Sequence, residues 1–166
     1  MGKRGLGLSC FGVVLALAGA CQSGDARCPS ESKRVGQKPP EGSEEWCEYS
    51  DKDGNKVKHG VYVAWYDKDN KQAEVTYVHG KENGPTTAWY PSGKKMLEGA
   101  YKDGDRDGVW TRWYENGDRE LETSFGAGQK VGTDRKWDDA GNLIIDLEWK
   151  DGGLVKQTIA TPTPGG

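Results

Sequence analysis

The stretch GVWTRWYENGDRELETSF, Gly108 to Phe125, decides the fold. It holds two strand-length segments, GVWTRWY and RELETSF, on either side of the short link ENG. Alternation places Val109, Thr111 and Trp113 on one face of the first segment. Leu121, Thr123 and Phe125 share a face of the second. A hairpin brings those two sets to the same side when its loop has an odd number of residues. A three-residue loop with its last residue in the left-handed region meets that need, and Gly117 stands there. The same parity puts Arg112 on the opposite face, near Glu122 or its neighbour Glu120, as a cross-strand pair contributing roughly 0.2–1 kcal/mol.

Read outward, the phrase recurs every 24 residues. Gly60, Gly84, Gly108 and Gly132 form one column, and Gly80, Gly104, Gly128 and Gly152 another. Trp65, Trp89, Trp113 and Trp137 form a third, and Tyr77, Tyr101, Phe125 and Trp149 a fourth that is always aromatic. Glu74, Glu98, Glu122 and Asp146 form a fifth that is always acidic. Five columns in one register are not chance, and an internal repeat outranks other signals. Gly93 and Gly141 repeat the Gly117 turn position, while the first unit has Asp69 there, a residue that tolerates left-handed geometry less well. One unit on, Lys136 is expected to face Asp146 as Arg112 faces its glutamate. Unit four also departs from the pattern, with Asp138 where the others have tyrosine and Arg135 in an otherwise apolar or small column. A polar terminal cap explains both.

Composition agrees with an all-β chain. Its 166 residues allow one domain of ordinary size, with 25 glycines and seven each of tryptophan and tyrosine. The formal charge of −3 and the absence of any Lys/Arg-rich run argue against nucleic acid as a partner.

The first twenty residues differ from the rest. Lys3 and Arg4 precede an apolar stretch, densest from Phe11 to Ala20, that ends in small residues before Cys21. This reads as an export signal, residues 1–20. LAGAC, ending at Cys21, resembles the lipobox of bacterial lipoproteins, which implies that Cys21 carries a lipid anchor. Cleavage after Ala18-x-Ala20 with plain secretion is the alternative, and a buried N-terminal helix is the bland one. Cys28 and Cys47 then remain as a pair in an oxidising compartment, for which a disulfide is the economical reading. Residues 21–45 read as an irregular lead-in pinned by that bridge. EWCEYSDKDGNKVKHG reads as a strand, a turn at Asp53-Gly54 and a link. Residues 46–153 form the repeat domain, with units starting near 60, 84, 108 and 132, and 154–166 read as a disordered tail.

LEGAYKDGDRDGVW, Leu97 to Trp110, resembles the MORN repeat, and GVWTRWYENGDRELETSF resembles its bacterial variant. The resemblance covers about 60–153. It implies consecutive β-hairpins laid side by side in an elongated antiparallel sheet, and a non-enzymatic role in scaffolding, membrane-proximal placement and protein contacts. Some bacterial members carry an antitoxin label, which suits a cytoplasmic protein better than a chain with an export signal.

The chemistry candidates are weak beside that reading. DGDRDG, Asp103 to Gly108, opens like a calcium loop, but its twelfth position is Tyr114 rather than glutamate. GAGQKVG, Gly126 to Gly132, lacks phosphate-loop spacing and a following helix. His59 and His79 do not sit at metal-ligand spacing. Glu98 and Glu122 would stand two strand separations apart, about 9–10 Å, at the edge of the range for an inverting glycosidase. Equivalent carboxylates on an open sheet have no reason to differ in pKa, as acid and base must. Neither cofactor nor metal is expected.

The aromatic rows remain. Trp65, Trp89, Trp113 and Trp137 are expected to stack as core, with Tyr77, Tyr101, Phe125 and Trp149. Tyr66, Tyr90 and Tyr114 alternate to the other face along with Trp110, and form the candidate binding face. The expected partner is a macromolecule, either a protein or an envelope glycan or lipid, met by a membrane-anchored lipoprotein that faces the periplasm or cell surface.

Overall fold

A computed structural model describes residues 28–159. The expected export signal and Cys21 lie outside the described residues. Twelve strands run β1 (Lys33–Gln37), β2 (Glu44–Ser50), β3 (Lys56–Lys58), β4 (Gly60–Trp65), β5 (Lys71–Val78), β6 (Lys81–Trp89), β7 (Lys95–Lys102), β8 (Asp105–Trp113), β9 (Arg119–Gly126), β10 (Gln129–Trp137), β11 (Leu143–Lys150) and β12 (Gly153–Ile159). They form one antiparallel sheet in the order β1-β2-β4 and then sequentially to β12, with β3 beside β2. The all-β hairpin-repeat reading holds. Two boundaries need correction. Part of the lead-in is strand β1, paired with β2. Residues 154–159 of the expected tail lie in β12, where they pair with β11.

Each 24-residue unit contributes two turns. The first is the expected three-residue loop. Tyr114 N donates to Asp118 O and Gly117 N donates to Tyr114 O, both at 2.9 Å, with Gly117 at φ 103°. Gly93 and Gly141 do the same at φ 79° and 84°. Asp69 does not adopt the left-handed region. The Asp67 carboxylate closes that loop instead, accepting from Asp69 N at 2.9 Å and Asn70 N at 3.0 Å. The second turn has two residues, as in Asp103-Gly104 between the paired Lys102 and Asp105. Both are at positive φ, 54° and 97°, the mirror-image turn whose twist matches that of the strands. DGDRDG is therefore a hairpin turn.

A bulge follows each three-residue turn and reverses the expected faces. Trp113 is opposite Arg119, but Arg112 is opposite Leu121, so Glu120 is the extra residue. The same skip lies between Ala64 and Trp65, Ala88 and Trp89, and Lys136 and Trp137. Because side chains alternate with period two, one extra residue exchanges the faces of the rest of the strand. Trp110 is therefore opposite Thr123, and Leu121, Thr123 and Phe125 share a face with Trp110 and Arg112, not with Val109, Thr111 and Trp113. A second irregularity, near the Gly108 column, skips two residues: Lys130 is opposite Phe125 but Asp134 is opposite Thr123. An even skip leaves the faces unchanged.

The sheet has no continuous second layer, so full burial is local. Cys47, Val63 and Trp65 form a small core against Cys28 and Val61. Cys28 and Cys47 are joined by a disulfide. Among the described residues the other buried aromatic ring is Trp110, mid-array and 4% exposed.

Candidate binding face

Trp110 is the centre of one face. Its ring lies over Gly99, where an added Cβ would fall 2.3 Å from the indole. The indole Nε1 donates to Ala100 O at 3.2 Å. Tyr101 and Phe125 meet the ring edge-on at 4.9 and 6.4 Å, and the Arg106 guanidinium sits 4.6 Å from its centroid. Trp110 is thus a packing residue and not part of an exposed aromatic row. The bulge moves it onto the face that carries the Tyr101 and Phe125 rings.

Tyr66, Tyr90 and Tyr114 have a shared partner that alternation does not reveal. Their hydroxyls donate to the backbone carbonyls of Trp89, Trp113 and Trp137, at 3.1, 2.8 and 2.9 Å. Each tyrosine reaches the same point of the next unit, 23 residues along. The two-residue turns staple the array elsewhere: Gly104 N donates to Glu82 O at 2.8 Å and Gly128 N to Arg106 O at 3.0 Å. Unit four replaces tyrosine with Asp138, whose carboxylate accepts from Ala140 N and Asn142 N of its own loop. These hydrogen bonds hold the Asp138 carboxyl below its ordinary range, the Asn142 side-chain bond most of all.

The opposite face carries the Trp65 column and the acidic column together. Lys71 pairs with Glu74 at 2.7 Å, Lys95 with Glu98, and Arg119 with Glu122 at 3.0 Å. The same cations lie over the next unit's tryptophan: Lys71 over Trp89, Lys95 over Trp113 and Arg119 over Trp137, at 5.9, 5.3 and 5.1 Å. Unit four pairs Asp146 with Arg135 at 3.2 Å rather than with Lys136, because the bulge sends Lys136 to the other face. Arg112 meets Glu120, the bulge residue, at 2.6 Å. The two expected core columns therefore lie on opposite faces: Trp65, Trp89, Trp113 and Trp137 on one, and Tyr77, Tyr101, Phe125 and Trp149 on the other.

The His59 and His79 rings lie tilted to one another at 4.6 Å beside Tyr49, and His79 N donates to His59 Nδ1 at 3.1 Å. Among the described residues no group of three His, Cys, Asp or Glu side chains stands where it could hold a metal ion. No described helix is long and apolar enough to cross a membrane.

On the Trp110 face, β7 to β11 frame a trough of about 520 Å³. Leu97, Leu121, Phe125, Ile145 and Leu147, all half-buried, supply its apolar surface. Four cations border it, Arg106, Arg112, Lys130 and Lys136. Buried Asp134 lies between them, accepting from Thr123 Oγ1 at 2.7 Å and pairing with Lys130 at 2.6 Å. Among the described residues Arg106 and Lys136 make no ion pair. This site was not read from the sequence, although its signal is there: positions 106 and 130, and 112 and 136, are basic pairs at the repeat spacing.

The trough is centred on the hairpin of β8 and β9. That hairpin is a MORN repeat variant, matched over residues 106–125. No curated protein matches the chain. The matched MORN hairpin contains Arg106, Trp110, Arg112, Glu120 and Phe125, so it supplies the centre of the trough and the bulge that shapes it. The hairpins of β4 and β5, β6 and β7, and β10 and β11 repeat its turn and bulge at 24-residue spacing. A MORN repeat suggests a repeat scaffold.

Proposed function

We propose that the protein is a non-enzymatic, membrane-anchored repeat scaffold of the bacterial cell envelope that presents its Trp110 face to a protein partner. One observation carries this reading. The recurring tyrosines are occupied in stapling units to one another and the recurring carboxylates in ion pairs, and two cations without an ion pair among the described residues, Arg106 and Lys136, border a half-apolar trough. A surface of that kind suits recognition by shape and charge. The repeated carboxylates are all ion-paired, so no one of them is set apart as a general acid. The apolar start with Cys21, and the Cys28–Cys47 bridge, support export and anchoring.

Cell fractionation tests the anchor. The Cys21→Ala protein should leave the membrane fraction while the parent stays; a variant that remains in the membrane overturns the anchor. Photo-cross-linking from position 136 tests partner binding, with position 133 on the opposite face as control. Equal adduct yield from the two positions removes the Trp110 face as the contact surface.

A further inference from the structure

Where the N-terminal strands meet the first repeat, one lysine is ringed by aromatic side chains. The Lys58 ammonium lies 3.9 Å from the centroid of the Tyr62 ring, 5.2 Å from that of Tyr77 and 5.7 Å from that of Trp46. The strand register explains the grouping. Glu48 is opposite Lys58, Glu44 opposite Ala64, and Gly60 opposite Tyr77, so Trp46, Lys58, Tyr62 and Tyr77 share one face. The Tyr62 and Tyr77 rings stand at 81° to one another, as two walls of a cage. Trp46 comes from β2, before the first repeat, and supplies the third. Among the described residues no other cation lies over three rings.

The three rings are half-buried, so each keeps surface open to solvent. Trp110, by contrast, is fully packed beneath its own cation, Arg106. Two carboxylates orient the walls: Tyr62 donates to Glu44 Oε2 at 2.6 Å, and Tyr77 donates to Glu82 Oε1 at 3.4 Å. Among the described residues neither carboxylate is in an ion pair, and the Lys58 ammonium has neither an ion pair nor a hydrogen bond. An ammonium carries three N–H donors, which ring faces satisfy poorly. A quaternary ammonium has no N–H to satisfy. Its methyl groups pack on the rings, and its charge is attracted by the ring faces and by the carboxylates behind them. The cage therefore suits a quaternary ammonium better than the lysine that fills it.

We propose that Trp46, Tyr62 and Tyr77 form a binding site for a quaternary ammonium group, and that Lys58 is its built-in plug. Lys58 stands in the three-residue strand β3, and its flexible stem turns to solvent when a ligand enters. The cage lies on β2 to β6, apart from the trough of β7 to β11, and does not rest on the scaffold proposal. The later units lack it. Thr86 and Asp134 stand at the Tyr62 position of units two and four, and in unit three that position is the buried Trp110.

The test is a titration of the full chain with choline, read by tryptophan fluorescence at constant ionic strength. A parallel titration uses the neutral isostere of choline, in which a tert-butyl group replaces trimethylammonium. Choline should bind saturably and the isostere at least about tenfold more weakly, because only the cation is attracted by the ring charge. Lys58→Ala should tighten choline binding by about tenfold, because it removes the competitor and raises the fraction of open cages. Tyr62→Leu should weaken it by about tenfold or more, whereas Tyr62→Phe, which keeps the ring, should stay within about threefold of the parent. Glycerophosphocholine separates the sources: binding tighter than choline assigns the site to a lipid headgroup, weaker binding to a free solute, and either carries the same cation. No saturable binding to the parent or to Lys58→Ala overturns the proposal. So does equal binding of the neutral isostere, or a Lys58→Ala chain that binds choline no more tightly than the parent. A Tyr62→Leu chain that fails to fold leaves those two comparisons to decide.

Discussion

The hydroxyl of Tyr114 donates to the backbone carbonyl of Trp137 at 2.9 Å, one unit further along the sheet. The bond recurs from Tyr66 to Trp89 and from Tyr90 to Trp113, so the aromatic pair of each unit is a clamp between units. Replacing Tyr114 with phenylalanine removes the donor and keeps the ring. It should cost about 1 kcal/mol in urea unfolding. Tyr66, 41% exposed and with the longer bond, should cost less when changed in the same way. Equal, negligible effects at both positions would show that the clamp contributes nothing.

Gly99 leaves room for Trp110. A Cβ there would meet three indole atoms at 2.3 to 2.8 Å. Gly99→Ala should therefore destabilise the protein by about 1–3 kcal/mol, as overpacking does. Gly99→Ala combined with Trp110→Phe should recover part of that loss in a double-mutant cycle. Additive losses would mean that the two residues are not in contact.

Glu120 is the extra residue of its hairpin, and its presence matters more than its identity. Deleting it should send Leu121, Thr123 and Phe125 to the Trp113 face and leave Trp110 without its β9 neighbours. The near-ultraviolet signal of the tryptophans should collapse, and limited proteolysis should cut within β9. Glu120→Gln keeps the residue count and loses an exposed pair with Arg112, so it should cost less than about 1 kcal/mol. A stable deletion variant with an unchanged spectrum would refute this account.

Tyr62 gives a pH dependence with a definite sign. Its hydroxyl donates to Glu44 Oε2 at 2.6 Å. Burial first, and then the Glu44 hydrogen bond and charge, push the phenol up to about 12. The unfolded chain titrates near 10. Below about 10 both states hold the proton and the stabilisation is complete. Between about 10 and about 12 the unfolded state releases its proton first, so stability falls as pH rises. The advantage of the parent over Tyr62→Phe in urea should shrink from about pH 9 to about pH 11. An advantage that stays constant over that range would contradict the shift.

The amino-acid sequence alone determined the 24-residue period, the strand pairs within the four repeats, the three-residue loops at Gly93, Gly117 and Gly141, and the pairing of Cys28 with Cys47. All of these are local or counted along the chain. Turn geometry depends on the few residues that make it, and a repeat is visible as identity at fixed spacing. Tertiary structure decided which side chains share a face. Alternation yields two parity classes per strand, but relating one strand to the next requires the register across the gap. One extra residue in each of the four repeat hairpins, Glu120 in the third, reversed that relation. It buried Trp110, moved Lys136 away from Asp146 and toward the trough, and left Arg135 to pair with Asp146. The bulge has no composition of its own, with Gln72, Met96, Glu120 and Ile144 at the four positions. It is held by the backbone pairing of whole strands, and no short window of sequence contains that pairing. The tyrosine clamps follow the same logic, because each acceptor is a main-chain carbonyl 23 residues away, and every residue type supplies one.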